Sequence, residues 1–218
     1  AHAPNVYLMF PSLFQHGPDT LDIRLAVSRD GIRWSRPDRK TAFIALGKGN
    51  AFDSGSLYMG QGMIRIGDEL WLYYSGSPLR HQGAELENLT KPENARVYSR
   101  VVARLDRFVA ATAGPKGGSF TSPPLRFSGN RLHLNVRVHS GGRMRIGLLD
   151  AEGRPLPKFS VSECVPITGD SLSKAVEWKG GSDVGALATK PRRLHIEMSD
   201  ARLFGFQFRS GKSQGKTR

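Results

Sequence analysis

The most informative stretch of this sequence is Ser28-Arg29-Asp30-Gly31-Ile32-Arg33-Trp34. It lies between two runs of strand character, Leu21–Val27 and Ile32–Trp34. Ser and Asp side chains bond to nearby backbone amides, and glycine accepts the positive φ that a tight hairpin turn requires. The Trp34 ring can then fold back over the turn. The stretch therefore predicts a β-hairpin whose turn is structural and performs no chemistry.

Composition indicates a globular, turn-rich protein of one large or two small domains. The chain has 218 residues, of which 39% are hydrophobic and 25 are glycine. No apolar run approaches the roughly 20 residues that span a bilayer, so no membrane partner is expected. Cys164 is the single cysteine. It excludes an internal disulfide framework and leaves the compartment open, a secreted or periplasmic location included. Metal-ligand spacing and phosphate-binding glycine loops are absent from the sequence, so neither a metal nor a cofactor is predicted.

The formal net charge of +13 raises nucleic acid as an alternative partner. Lys and Arg are scattered singly through strand-like segments, as at Arg131, Arg137 and Arg143. This pattern favours a solvated basic surface and no nucleic-acid partner. An even spread of charge over the whole chain would count further against nucleic acid, and binding that falls steeply with salt would count for it.

The Ser-x-Asp-Gly-x-x-Trp pattern resembles the Asp-box-type turn of β-propeller blades, in particular that of propeller glycoside hydrolases. The strand signals of residues 1–113 fit blades whose strands run A to D from the axis outward. The predicted strands are B at Tyr7–Phe14, C at Leu21–Val27 and D at Trp34 in one blade, then A at Met63, B at Leu70, C at Tyr98 and D at Phe108 in the next. Because a propeller ring needs about four blades or more, we expect this chain to be the C-terminal part of a longer protein that supplies the missing upstream blades.

Residues 119–209 form a second predicted module, which follows a flexible connector that is rich in glycine. Several short strands with Gly and Pro turns and almost no helical periodicity indicate a β-sandwich. Residues 210–218 are predicted to be a disordered basic tail. The predicted fold class is therefore all-β, a partial β-propeller of under two blades followed by a β-sandwich.

The two modules together resemble glycoside hydrolase family 32, which combines a five-bladed propeller with a β-sandwich. The segments that carry the resemblance are Trp71–Gly76, Phe52–Gly55, Gly169–Ser171, Trp178–Asp183 and Phe204–Phe208. The family's W-x-N-D-P-N-G and R-D-P motifs are absent, and its E-C motif is matched only by the dipeptide Glu163-Cys164 in the predicted sandwich. No catalytic residue is therefore carried over from the family.

The residues themselves offer a candidate sugar site on the loops that join strand B to C and strand D to A. Glycoside hydrolysis needs two carboxyl groups about 5–5.5 or 6.5–9.5 Å apart, and Asp22 and Asp53 are the pair we select as candidate catalytic residues. Their structural alternatives are an Asp22–Arg24 ion pair and a turn capped by Asp53. The candidate substrate-binding residues are His16, Ser54, Tyr58, Gln61 and His81.

Strand order also predicts where these loops lie. Antiparallel strands reverse at every turn, so His16, Asp53, Tyr58 and His81 should cluster on one face, at one end of the sheets. Asp30, Asp68 and Asp106 should lie at the opposite end. The predicted function is a carbohydrate-active protein, the C-terminal portion of a propeller glycosidase, with little or no hydrolase activity as an isolated chain. The alternative is a non-catalytic carbohydrate-binding or accessory β-sandwich module, in which Trp178 is either an exposed anchor beside Asp183 or part of the core.

Overall fold

The computed structural model describes residues 6–81 and 96–211. The chain divides into two compact units, Ala1–Leu105 and Asp106–Arg218, which we call the first and second units. The described residues form β-strands and two short 3-10 turns, at Pro157–Phe159 and Gly185–Leu187, and contain no α-helix. The predicted all-β class is therefore confirmed.

The first unit contains a three-stranded sheet, β1-β4-β5, and a six-stranded sheet in which β2, β3, β6, β8 and β7 follow one another and β9 also pairs with β8. Its strands are β1 (Tyr7–Met9), β2 (Ser12–Gln15), β3 (Thr20–Ile23), β4 (Ala26–Ser28), β5 (Trp34–Ser35), β6 (Ser56–Met59), β7 (Ile64–Ile66), β8 (Glu69–Ser77) and β9 (Val97–Arg104).

The predicted strands B and C of the first blade form one hairpin that is interrupted once. The pairs run from Tyr7↔Ser28 in β1–β4 to Gln15↔Thr20 in β2–β3 without a change of register. The interruption falls at Pro11, which has no backbone N–H to donate to a ladder. Its carbonyl still accepts a bond of 2.9 Å from the amide of Arg24, which carries the register across the break.

The hairpin turn has the geometry that its sequence predicts. The Ser28 hydroxyl accepts a bond of 2.8 Å from the Gly31 amide, and Asp30 Oδ1 accepts bonds of 2.9 and 2.7 Å from the amides of Ile32 and Arg33. Gly31 has φ +74°, and Trp34 Nε1 donates to the Gly31 carbonyl at 3.1 Å. The side chains of the turn therefore bond to several of its own backbone amides.

Strands β7, β8 and β9 form the antiparallel meander predicted as strands A, B and C of the second blade. β8 alternates between two faces, and Leu72 and Tyr74 are buried on one of them. The core of this unit is small and consists of Ile23, Ile44, Leu57 and Tyr74 with partly buried apolar side chains around them.

The predicted strand D at Phe108–Ala110 is wrong, because these residues form no strand. Leu105 donates its amide to the Asp68 carbonyl at 2.8 Å and closes β9 against β8. Asp106 then takes a left-handed φ of +59°, which turns the chain. The next strand, β10 (Ala111–Ala113), pairs in the second unit, so residues 106–113 belong there and not to the first module.

The second unit is one curled antiparallel sheet of five strands in which β12 and β14 are the long central pair. Its strands are β10, β11 (Gly118–Thr121), β12 (Arg131–Leu149), β13 (Gly169–Ala175) and β14 (Arg193–Arg209). The β12–β14 register shifts twice, between Asn135 and Val136 and between Val138 and Arg143. Irregularities of this kind bend a strand and increase its twist, which lets one sheet curl around its own core.

The core of the second unit is continuous and larger than that of the first. Leu132, Leu134, Val136 and Val138 alternate inward along β12, as their sequence predicts. Met144 and Ile146 extend the core beyond the second bulge. Within the described residues the strands hydrogen-bond into one sheet, whereas a β-sandwich has two. Most of the predicted tail, residues 212–218, lies outside the described residues.

Candidate functional site

The candidate site lies at the end of the first unit where β2 turns into β3. Residues 16–19 form this turn, and Asp19 takes a left-handed φ of +58°. The Asp19 carbonyl accepts a bond of 2.9 Å from the amide of His81, which follows β8. This bond brings two predicted residues, His16 and His81, to the same end of the sheet.

Five side chains meet here, and we call them the aromatic–histidine cluster: Phe14, His16, Tyr58, His81 and Arg96. The Phe14 ring lies 4.5 Å from the His16 ring and 5.0 Å from the His81 ring, centroid to centroid. Tyr58 Oη is 3.3 Å from His81 Nδ1. The Arg96 guanidinium stacks 4.8 Å above the Tyr58 ring. Three of the five predicted substrate-binding residues are therefore brought together.

The cluster combines ring faces with groups that donate and accept hydrogen bonds. His16, Tyr58 and His81 are exposed to solvent. Arg96 Nη2 donates to the Ser56 hydroxyl at 3.4 Å, while Nη1 is buried and has no hydrogen-bond partner among the described residues. Sugar recognition uses apolar ring faces together with a few well-placed polar groups, and the cluster presents both kinds.

Asp53 lies at the same end of β8 but on the other face of the sheet. Tyr58 pairs with Ser75, whereas Asp53 accepts a bond of 2.9 Å from the Tyr74 phenol, and neighbouring residues of a strand point to opposite faces. Burial, and then the bond to Asp53, raise the pKa of Tyr74, so the phenol stays protonated as the donor. A Cβ on Gly76 would come within 2.5 Å of the Asp53 Cβ, which shows how closely this side chain packs.

Asp22 is a buried partner of Arg24. Its two carboxylate oxygens accept bonds of 2.6 and 2.7 Å from Arg24 Nε and Nη2. The same guanidinium donates to the Lys40 carbonyl at 3.0 Å. The ion pair that the sequence offers as the alternative to catalysis is therefore present, and Asp22 and Asp53 have separate partners.

The remaining predicted residues contribute less to the cluster. The Ser54 amide donates to the Ala51 carbonyl at 3.1 Å in the turn before β6. Gln61 is exposed. It follows Gly60, whose amide donates to the carbonyl of Tyr73, a residue in the middle of β8. Gln61 is therefore separated from Tyr58 along the sheet.

The predicted separation of Asp53 from Asp68 and Asp106 agrees with the positions of these residues along β8 and β9. Asp53 packs against Gly76 near the end of β8, and Asp68 immediately precedes the start of β8 at Glu69. Seven steps along a strand correspond to about 23 Å. The amide of Leu105 bonds to the Asp68 carbonyl. Asp106, the next residue, therefore lies near Asp68, at the end of β8 away from Asp53.

Trp178 is a core residue of the second unit and not an exposed anchor. Its side chain is buried, and Nε1 donates to the Ile146 carbonyl at 3.0 Å. Asp183 accepts from the amide of Gly185 at 2.9 Å and from Asn130 Nδ2 at 3.1 Å. Both side chains therefore support the fold.

Two members of the cluster, Phe14 and Arg96, are not predicted from the sequence. The sequence predicts Phe14 only as a strand residue. Its ring lies between the His16 ring, which the turn at residues 16–19 positions, and the His81 ring, which follows the end of β8. Arg96 is one of 32 Lys and Arg residues and has no local motif. Its position just before β9, next to a tyrosine on β6, results from pairing between strands that are distant in sequence.

Comparisons with known proteins add no relative. No protein-family model matches the chain, and no curated protein sequence matches it. Over residues 6–81 and 96–211, no group of three or more His, Cys, Asp or Glu side chains is arranged to hold a metal ion. None of the helical segments in these ranges is long and apolar enough to cross a membrane.

Proposed function

We propose that this chain is a carbohydrate-active protein that binds a sugar at the aromatic–histidine cluster. On this proposal the first unit is a portion of a propeller of the glycoside hydrolase family 32 kind, and the second unit is the counterpart of that family's β-sandwich. As an isolated chain it binds without hydrolysing. The observation that carries the proposal is the exposed Tyr58–His81 pair, with Phe14 and Arg96 against it.

Two further features support a propeller origin for the first unit. The turn at Ser28–Trp34 has the bonding of an Asp-box-type turn. The three-stranded sheet has the order β1-β4-β5, which matches strands B, C and D of a blade. In a propeller enzyme the sugar site and such turns lie at opposite ends of the blades, and the cluster lies at the end of the β2–β3 hairpin away from this turn.

Binding without hydrolysis is the expected outcome for the two candidate carboxylates. Inverting and retaining hydrolysis both need one carboxyl group that gives a proton and another that acts as base or nucleophile. Asp22 is engaged on both oxygens by Arg24, and Asp53 accepts the Tyr74 phenol on the face of the sheet away from Tyr58. We therefore assign both carboxylates to the stability of the first unit.

A glycan array probed with the full chain, followed by calorimetry on the ligands it identifies, tests the proposal. Tyr58→Ala should weaken binding about tenfold, which corresponds to about 1.4 kcal/mol. Tyr7→Ala is the matched control, because Tyr7 is an exposed tyrosine of the other sheet. Equal loss in both variants would reject the cluster as the site.

The same chain incubated with sucrose, fructans and aryl glycosides tests the absence of hydrolysis. We expect no release of reducing sugar or aglycone above a blank. Turnover by the unsubstituted chain that is abolished by Asp22→Asn or Asp53→Asn, with the fold intact by circular dichroism, would show that the carboxylates are catalytic after all.

A further inference from the structure

The positive charge of the protein is concentrated in the second unit. Residues 106–218 contain 19 Lys and Arg against 9 Asp and Glu, a net charge of +10. Residues 1–105 contain 13 against 10, a net charge of +3. An excess of this size over one compact unit attracts anions, and the curled sheet of this unit contains a place for one.

A groove of about 380 Å³ lies on the solvent face of the sheet where β11, β14 and β12 run side by side. Ser119 pairs with Glu197, and Glu197 pairs on its other side with Arg145. One step along the same face, Arg143 pairs with Ser199. Strand register alone therefore sets two arginines, two hydroxyls and one carboxylate on one surface, and Lys116 from the preceding turn also lines the groove.

The groove has an excess of positive charge. Lys116, Arg143 and Arg145 face one acidic lining residue, Glu197. Glu197 Oε1 is 3.5 Å from His195 Nε2 on the same strand, so this carboxylate interacts with His195 as well as with the basic residues of the groove. Arg145 Nε is buried and has no hydrogen-bond partner among the described residues. Arg145 lines the groove through its other atoms, so an anion in the groove would be held by attraction to the charge of this guanidinium and not by the buried nitrogen.

We propose that this groove binds the carboxylate or sulfate group of an acidic saccharide. This inference rests on the proposed carbohydrate-binding function and adds a second, charge-selective site to it. Guanidinium groups bind carboxylate and sulfate through paired charge-assisted hydrogen bonds. The Ser119 and Ser199 hydroxyls are available for the sugar hydroxyls next to the anionic group.

The lining of the groove favours a saccharide over a nucleic acid. The lining residues beyond those named are proline, glycine and methionine, so no aromatic ring is present for a base to stack on. Single-strand binding sites combine a basic groove with aromatic side chains on which the bases stack, and each stacked base contributes about 1–3 kcal/mol. The volume is at the lower end of the range of about 300–1,000 Å³ for small-ligand pockets, which suits a short saccharide segment.

The test is a calorimetric titration of the full chain with four probes at low salt. They are an oligogalacturonate, a sulfated heparin fragment, sodium sulfate and a single-stranded oligothymidylate. We expect one of the two acidic saccharides to bind most tightly. Arg145→Gln should weaken that binding about tenfold or more, since it removes a charge-assisted bond. Arg126→Gln is the matched control, an exposed arginine of the same unit that does not line the groove, and it should bind as the unsubstituted chain does.

Glu197→Gln provides a change of opposite sign. It removes the negative charge of the groove, so acidic saccharide should bind more tightly while the strand pairing is kept. A variant that only disturbs the fold would not tighten binding. Unchanged or weaker binding by Glu197→Gln would therefore contradict the proposal even if Arg145→Gln proved unstable.

The other outcomes also decide the matter. Sodium sulfate that binds as tightly as the saccharides would reduce the groove to a free-anion site, and tighter binding of the oligothymidylate would assign it to nucleic acid. Failure of all four probes would reject the groove as a binding site. A neutral sugar bound at the aromatic–histidine cluster should be lost in Tyr58→Ala and kept in Arg145→Gln, so failure of this inference is distinguishable from failure of the proposed function.

Discussion

At the scale of single residues, the hairpin turn is the part of the molecule that local sequence determines most fully. The Ser28 and Asp30 side chains bond to backbone amides of their own turn, and Gly31 supplies its positive φ. For this reason the sequence predicts the turn correctly. Local sequence determines the environment of Asp22 less fully. Its ion-pair partner Arg24 can be predicted from the sequence, but the burial of the pair results from packing between strands.

The turn predicts how acid affects the first unit. Backbone N–H bonds from Arg33 and then Ile32, with the Ser28 hydroxyl, hold the pKa of Asp30 below its usual value. Since the folded pKa is lower than the unfolded one, the stabilisation is complete above the unfolded pKa of about 3.9 and is lost as pH falls through the folded pKa. Asp30→Asn should therefore lower the melting temperature at pH 7. The difference from the unsubstituted chain should shrink below about pH 4, and a difference that stays constant down to pH 2.5 would contradict the assignment.

The Asp22–Arg24 pair predicts a loss of stability. Removing one partner leaves a buried charge without compensation, which costs about 3–5 kcal/mol in comparable pairs. Asp22→Asn should lower the free energy of unfolding by an amount near the lower end of that range, measured by urea denaturation. The double variant Asp22→Leu, Arg24→Met should recover most of it, because neither charge is then buried. Recovery would fail if Asp22 stabilised the fold through other partners.

At the scale of elements, sequence pattern predicts hairpins and meanders better than it predicts sheets. The β1/β2–β3/β4 hairpin and the β7–β8–β9 meander pair neighbours in sequence, and both are predicted. The parallel contact of β3 with β6 joins strands that are far apart in sequence and has no local signal. That contact helps to bring Tyr58 toward His16. Strand order therefore predicts that His16, Tyr58 and His81 share one end of the sheets, but it does not predict which of their side chains touch.

Gly76 at the end of β8 allows the Asp53 loop to approach the sheet. A Cβ there would lie 2.5 Å from the Asp53 Cβ, a distance that real side chains do not tolerate. Overpacking of this kind costs about 1–3 kcal/mol, so Gly76→Ala should lower the urea midpoint of the first unit by a corresponding amount. Gly17→Ala is the matched control in the same unit, because a Cβ at Gly17 meets nothing within 4 Å. Equal stability of the two variants would show that the loop moves aside freely.

At the scale of the whole molecule, the two units have separate cores of unequal size. The second unit buries long alternating rows of apolar side chains along β12 and β14, and the first buries a small set around Leu57. Since buried apolar area is the main source of stability, we expect the first unit to unfold at lower urea concentration. Residues 106–218 expressed alone should unfold cooperatively with the later midpoint of the full chain. A single coincident transition, together with an unfolded 106–218 fragment, would contradict this.

The sequence predicts two modules, and the reason it misplaces the boundary is physical. Residues 106–113 look like a fourth blade strand because they follow β9 after a short turn. The left-handed Asp106 and the pairing of Ala111–Ala113 with β14 assign them to the second unit instead. The single curled sheet of that unit could not be told from a sandwich either, because its bulges, between Val138 and Arg143 for example, are a property of strand pairing.

The aromatic–histidine cluster is tested most directly as the sugar site by following the histidine ring signals of the full chain by NMR while a neutral glycan from the array is added. The chain has six histidines, and two of them, His16 and His81, lie in the aromatic–histidine cluster. If the cluster binds the glycan, the signals of His16 and His81 should shift and saturate together. Those of His133 and His195 in the second unit should stay in place. Saturable binding that leaves the His16 and His81 signals unmoved would contradict the claim that this cluster is the sugar site.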